Sequence, residues 1–267
     1  MALSLNRANR NLTKLPRLAP TLLTIDCYKN EIVSLPEHLP EGLTYLECCS
    51  NLIVTLPENL PEDLENLGCR DNLIVNLPEN LPEYLKDLDC GENQIVTLTN
   101  LPLYLTGLNC DKNQIVTLPE KLPAHLNTLV CNGNLLVTLP QLPESLTGLW
   151  CYDNQIHTLP QLPPELFSLC CQNNNLTTIP TLPETLYYLI LSGNPIRTLP
   201  NIPESIQKFC IEGHKLTSLP AKFPDRFRTS ELLREIKKNV AYRQAQVDTI
   251  PDKLVIKDIK KIILSFL

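Results

Sequence analysis

The sequence predicts a solenoid of short parallel strands, and three observations carry that prediction. Asparagines recur at Asn30, Asn51, Asn72, Asn93, Asn113, Asn134, Asn154, Asn174 and Asn194, with His214 in the tenth slot, so one unit repeats every 20 or 21 residues. Each unit reads Leu-x-x-Leu-x-(Leu or Cys)-x-x-Asn-x-(Leu or Ile), as from Leu43 to Ile53, and its alternating apolar run suits a strand with one buried face. All but Pro224 and Pro251 of the 24 prolines precede residue 222, at fixed places in the unit. Prolines at that density exclude helix from the returning arms, because Pro fixes φ, lacks an N-H and pushes the residue before it out of the α region.

A period of about 20 with this motif marks a leucine-rich-repeat solenoid. The expected form is a right-handed horseshoe of about ten repeats, with short parallel strands on the concave side and extended, Pro-rich arms on the convex side. Within each unit, Leu-x-x-Leu-x-Cys makes the strand. The asparagine that follows turns the chain, and its amide satisfies backbone groups of the neighbouring turn. Arms such as Leu56 to Leu64 then return to the next strand.

Eight of the 11 cysteines are one residue repeated: Cys27, Cys48, Cys69, Cys90, Cys110, Cys131, Cys151 and Cys171 share a slot that Leu191 and Ile211 fill in the last two units. A slot that accepts Leu and Ile is apolar, and a buried free Cys behaves as a small hydrophobe. The competing readings are disulfides and zinc. A straight row of parallel side chains suits neither bridge geometry nor a tetrahedral site. Reduced thiols in a column fit a reducing compartment such as cytosol.

The motif resembles the Leu-Pro-x subtype of leucine-rich repeats, found in bacterial type III effectors of the YopM and IpaH kind and in repeat proteins of amoeba-infecting giant viruses. It covers residues 12 to 220, and its clearest tandem is Asn154-Gln-Ile156-His-Thr-Leu159-Pro160-Gln-Leu162-Pro163. The resemblance implies a scaffold that grips host proteins inside a eukaryotic cell. Two departures stand out. Cys replaces the usual Val or Leu of the strand, which is closer to the viral proteins, and the chain has no room for a large ligase domain of the IpaH type.

Residues 1-221 form the expected repeat domain and residues 222-267 a helical C-terminal cap or tail. A helix is expected from Thr229 or Ser230 as N-cap. A second is expected from Thr249-Ile-Pro251, with Leu254, Val255, Ile259, Ile262, Ile263 and Phe266 at helical spacing. Ile250 to Leu254 with Ile262 to Leu267 is also similar to pieces of an F-box at a longer spacing, which implies an adaptor that recruits ubiquitination machinery.

Charge changes at the same boundary. The net charge of −6 divides into −11 over residues 1-221 and +5 over residues 222-267. An acidic solenoid repels phosphate, so nucleic acid is an unsuitable ligand for the repeats. The start, Met1-Ala-Leu-Ser-Leu-Asn-Arg, lacks the apolar run of a leader, and no stretch approaches the ~18 apolar residues of a membrane span. The chain reads as soluble and cytoplasmic, in a host cytosol if it is a pathogen or viral factor.

Strand alternation gives the outward positions. The N-terminal half of the concave face is acidic, with Asp87, Asp89 and Asp111, and the C-terminal half is apolar and aromatic, with Trp150, Tyr152, Tyr188 and Ile190. Trp150 is the single Trp, and a core of Leu-sized slots would be overfilled by it. These seven residues are the expected partner-binding set, because exposed aromatics anchor interfaces. No catalytic or cofactor-binding set is expected. His38 and His125 fall in arms, His157 follows a core Ile and His214 replaces a ladder Asn, so no histidine is paired with a nucleophile and an orienting acid. No Gly-rich phosphate loop or metal-spaced cluster is present in the sequence. The function expected is a non-enzymatic protein-protein interaction scaffold. The alternatives are an adaptor acting through the tail and a structural protein that self-associates.

Overall fold

A residue that must be apolar every second position, followed by an amide that must be buried, forces the same turn each time the unit recurs. The computed structural model, which describes residues 3-98 and 100-248 and side chains through residue 244, shows that turn eleven times. Its strands are β1 Ser4–Asn6, β2 Thr24–Asp26, β3 Tyr45–Glu47, β4 Asn66–Gly68, β5 Asp87–Asp89, β6 Gly107–Asn109, β7 Thr128–Val130, β8 Gly148–Trp150, β9 Ser168–Cys170, β10 Tyr188–Ile190 and β11 Lys208–Cys210. They form one sheet in chain order. Every pairing is parallel and joins equivalent residues, for example Leu46 with Leu67 and Leu88 with Leu108.

One strand precedes the ten that the motif marks. β1 pairs with β2, but Arg7 and Arg10 stand where later units have Cys and Asn, so the motif is absent there. The turn geometry is nonetheless kept. Asn9 is left-handed with φ 54°, as are the equivalent Lys29, Ser50, Asp71, Glu92, Lys112, Gly133, Asp153, Asn173, Gly193 and Gly213 just before each ladder residue. A left-handed residue there reverses the chain out of the strand, a conformation that costs side chains other than Gly and Asn about 1 kcal/mol.

Inward residues form one continuous core. Leu46, Cys48 and Ile53 are fully buried, and the same three columns are buried through Leu189, Leu191 and Ile196. Each such Leu or Ile contributes about 1.5 to 3 kcal/mol of burial, which offsets the ordering of a three-residue strand. Burial also raises the thiols of the Cys column, Cys27 to about 12 with Asp26 and Glu47 adding to the effect, and Cys69, Cys90 and Cys110 well above the usual range. All eleven cysteines are free.

The ladder amides behave as a relay. Asn93 donates Nδ2 to the carbonyls of Cys69, Cys90 and Gly91 at 3.0, 3.2 and 2.9 Å, and its Oδ1 accepts from Ile74 N at 2.9 Å. The same set recurs in every ladder Asn from Asn30 to Asn174. The arms contain no helix among the described residues before Asp225, and each ends in a tight turn such as Leu43 N to Pro40 O at 3.1 Å, which feeds the next strand.

After β11 the chain makes a 3-10 turn, Asp225–Phe227, and one helix, α1 Ser230–Asp248. Thr229 caps it, its Oγ1 accepting from Leu232 N at 3.1 Å. Leu232 and Ile236 are buried in the core cluster, and Phe209 packs against Phe223 and Phe227. Asn239 of α1 donates to the carbonyls of His214 and Leu216, and on Leu216 it takes the place of the backbone N-H that the next unit gives the equivalent Ile53 carbonyl. The second expected helix and its apolar stripe lie outside the described residues.

Candidate partner-binding face

The outward face of the sheet is built by the positions that alternate with the core columns. Side chains on neighbouring strands stack about 4.8 Å apart, so each column is read as a row. In the acidic half, that row is largely occupied by its own ion pairs. Arg70 reaches across two units: its guanidinium contacts the Asp111 carboxylate through both nitrogens, Glu92 Oε1 at 2.7 Å and Asp89 Oδ1 at 3.8 Å. Lys112 also holds Glu92. Gly91 makes the crossing feasible, since a Cβ there would collide with the Asp111 carboxylate and the Arg70 guanidinium.

The expected acidic set is therefore unequal. Asp111 is buried under Arg70 and does not present an open carboxylate, contrary to what alternation alone implies. Asp89 is half-buried, and its burial raises its pKa, with Gly91 N-H and Arg70 opposing. Asp87 is exposed. Together Asp87, Asp89 and Asn109 border a shallow recess floored by Gly107.

The aromatic half has a different construction. Trp150 is half-buried because its indole lies back over Gly148, where any side chain would collide with the ring. Tyr152 and Ile190 are half-buried, and Tyr188 is exposed. Alternation misses two further rings. Phe167 and Tyr187, each one residue before a strand, stack at 5.1 Å and 15°, and both contact Tyr188, at 5.8 and 4.8 Å. Phe167 is 47% exposed and both tyrosines 37% exposed, so this three-ring cluster stands in solvent one to two strands from Trp150. A second stack, Tyr84, Tyr104 and His125, runs along the arms at 5.7 and 6.5 Å.

Among the described residues no group of three or more His, Cys, Asp or Glu is placed to hold a metal. No described helix is long and apolar enough to cross a membrane. What the arrangement can do is present flat aromatic area along β8 to β10 and an exposed carboxylate on β5. That is recognition chemistry.

Comparison with known proteins agrees with the fold. YopM from Yersinia enterocolitica WA-314 superposes with a TM-score of 0.69 at 33% identity, over 80% of this chain and 51% of that one. YopM from Yersinia pestis, described as a leucine-rich effector protein, gives 0.68 at 31% identity, over 84% of this chain and 75% of that one. The functional domain of InlJ from Listeria monocytogenes, described as including a cysteine ladder, gives 0.68 at 23% identity, over 81% and 55%, and shares the fold. The chain thus spans about half the length of the first of these relatives. No family model matches it, and no curated protein does.

Proposed function

The chain belongs to the leucine-rich-repeat family, as the two YopM proteins do, and on that premise we propose that it is a non-enzymatic scaffold whose protein partner docks on the outward face of the sheet. The observation that carries the reading is the exposed cluster of Phe167, Tyr187 and Tyr188 beside half-buried Trp150. Large rings held rigid by their neighbours supply contact area at little entropic cost, which is why they anchor interfaces.

An apolar knob of the partner meets Trp150, Tyr152, Tyr188 and Ile190, and its basic flank meets Asp87 and Asp89. Asp111 contributes through Arg70 rather than by direct contact. Residues 1-221 act as the gripping domain and residues 222-267 as the cap of the last repeat. The reading places the protein in the cytosol of a eukaryotic host as a pathogen effector, because the YopM proteins are effectors and because a column of free buried thiols suits a reducing compartment. The viral side of that reading rests on the Cys column.

Affinity capture from eukaryotic lysate tests it, comparing the intact chain with Trp150→Ala and Tyr188→Ala together, and with a truncation after residue 221 shown to remain folded. Loss of a captured protein with the aromatic variant supports the outward face. Loss only on truncation makes the tail the recruiting element and supports the adaptor alternative.

A further inference from the structure

The side of the solenoid carries a second surface that the outward face does not use. In each unit the core Ile or Leu two residues after the ladder Asn is flanked by two side chains that alternation turns to solvent. In six successive units the residue on the far side is Val33, Val54, Val75, Val96, Val116 and Val137. All six are exposed, between 40% and 53%. Leu52, Leu73 and Leu135 lie on the near side of the same core residues and are equally exposed. From the seventh unit on, the Val column becomes His157, Thr177 and Arg197, so the stripe has a definite end.

Regular backbone bonds hold the stripe in register, with Leu52 N on Ile32 O, Leu73 N on Ile53 O and Leu135 N on Ile115 O, each at 2.9 Å. Six valines at the ~4.8 Å spacing of neighbouring strands make a straight ridge roughly 24 Å long. With the leucines its exposed apolar area is on the order of 600 Å², beyond scattered surface apolar residues and close to the ~800 Å² per partner of a stable complex. The stripe is free of charge in five of its six units, the exception being Glu31 beside Val33. From Asn51 to Thr55, Asn72 to Asn76, Asn93 to Thr97, Asn113 to Thr117 and Asn134 to Thr138 no residue is ionisable.

We propose that this stripe is the interface of a two-fold homodimer, with a second copy of the chain as its occupant. Two arguments select a second copy. A ridge of fixed pitch interlocks best with a surface of identical pitch, and another copy presents it. Residues 1-221 carry −11, so two copies repel over most of their surface and can approach closely where charge is absent. On a two-fold axis the stripe is self-complementary, with Val75 of one copy against Val96 of the other, Val54 against Val116 and Val33 against Val137.

Sedimentation velocity on the full chain tests this. A species of twice the 30.2 kDa chain mass is expected at tens of micromolar, and Val75→Lys with Val96→Lys is expected to sediment as a monomer. Val96→Thr keeps the β-branched shape and buries a hydroxyl once per copy, so it weakens association about tenfold without threatening the fold. Trp150→Ala leaves the dimer intact, which separates this interface from the outward face. Raising salt strengthens the dimer, because screening removes the repulsion of two acidic copies. A chain that stays at 30.2 kDa up to ~100 μM overturns the proposal. So does a dimer that survives the double Lys substitution, one lost with Trp150→Ala, or one that dissociates as salt rises.

Discussion

Asn93 sits in mid-ladder, and replacing it by Ala tests whether the amide relay holds the solenoid together. Its three donor contacts fall on carbonyls that keep other partners: Cys69 O retains Asn72 Nδ2, Cys90 O retains Asn113 Nδ2, and Gly91 O retains Asp71 N. Ile74 N-H loses the acceptor Asn93 Oδ1, buried with no alternative acceptor in the ladder. An orphaned buried N-H costs about 1 to 3 kcal/mol, and the shared carbonyl contacts add about 1 kcal/mol more. The expected loss of about 2 to 4 kcal/mol lowers the melting temperature by about 5 to 15 °C in a repeat domain of this size. Asn93→Asp refines the test. It keeps the acceptor for Ile74 but turns a carboxylate toward three carbonyls, so at pH 7 it costs more than Ala. Protonation restores a donor, and the Asp variant recovers relative to Ala as pH falls toward 5. Thermal melts by circular dichroism read both. An Ala variant melting within about 2 °C of the parent, or an Asp variant equal to the parent at pH 7, refutes the reasoning.

Arg70→Ala leaves buried Asp111 without its cation and is expected to cost about 1 to 3 kcal/mol, restored by adding Asp111→Asn; unchanged melts in the single variant contradict the ion network. Native thiol labelling read by mass spectrometry is expected to reach Cys49, Cys170 and Cys210 alone, with the eight ladder thiols appearing on unfolding; fast labelling at Cys110 contradicts the buried column. His214 accepts from Leu216 N through Nδ1 and turns Nε2 toward Glu235 Oε2 at 3.0 Å, so it is held as the neutral ring. Burial lowers its pKa below the ordinary 6.5, with Glu235 opposing and Lys215 assisting. The folded state therefore binds fewer protons than the unfolded one, and the stability is full above pH 6.5 and lost as pH falls through the folded value. Hydrogen exchange in α1 is expected to accelerate from pH 7 to 5.5 after correction for intrinsic rates, and His214→Asn to flatten that dependence.

The repeat, its register and its buried columns are legible in the sequence because one period of 20 or 21 residues forces every Leu, Cys and Asn into the same environment. What escapes the motif has local causes. β1 is hidden because Arg7 and Arg10 hold its Cys and Asn slots, so the motif does not mark it. Asp111 is expected to be open and is covered, because Arg70 reaches it across 41 positions of sequence, a contact set by side-chain length rather than by strand alternation. Phe167 and Tyr187 belong to the face although they precede the strands, since the alternation rule stops at the last paired residue. Asn239 satisfies the last unit's Leu216 carbonyl from a helix, where no repeat pattern could point to it.

The most direct test of the proposed outward-face scaffold uses the fact that the chain has a single Trp. Labelled with 5-fluorotryptophan, the protein gives one fluorine resonance, from Trp150 over Gly148. Titration with a captured partner is expected to shift or broaden that resonance in step with complex formation. A resonance that stays fixed while the complex forms places the partner elsewhere and contradicts the proposed face.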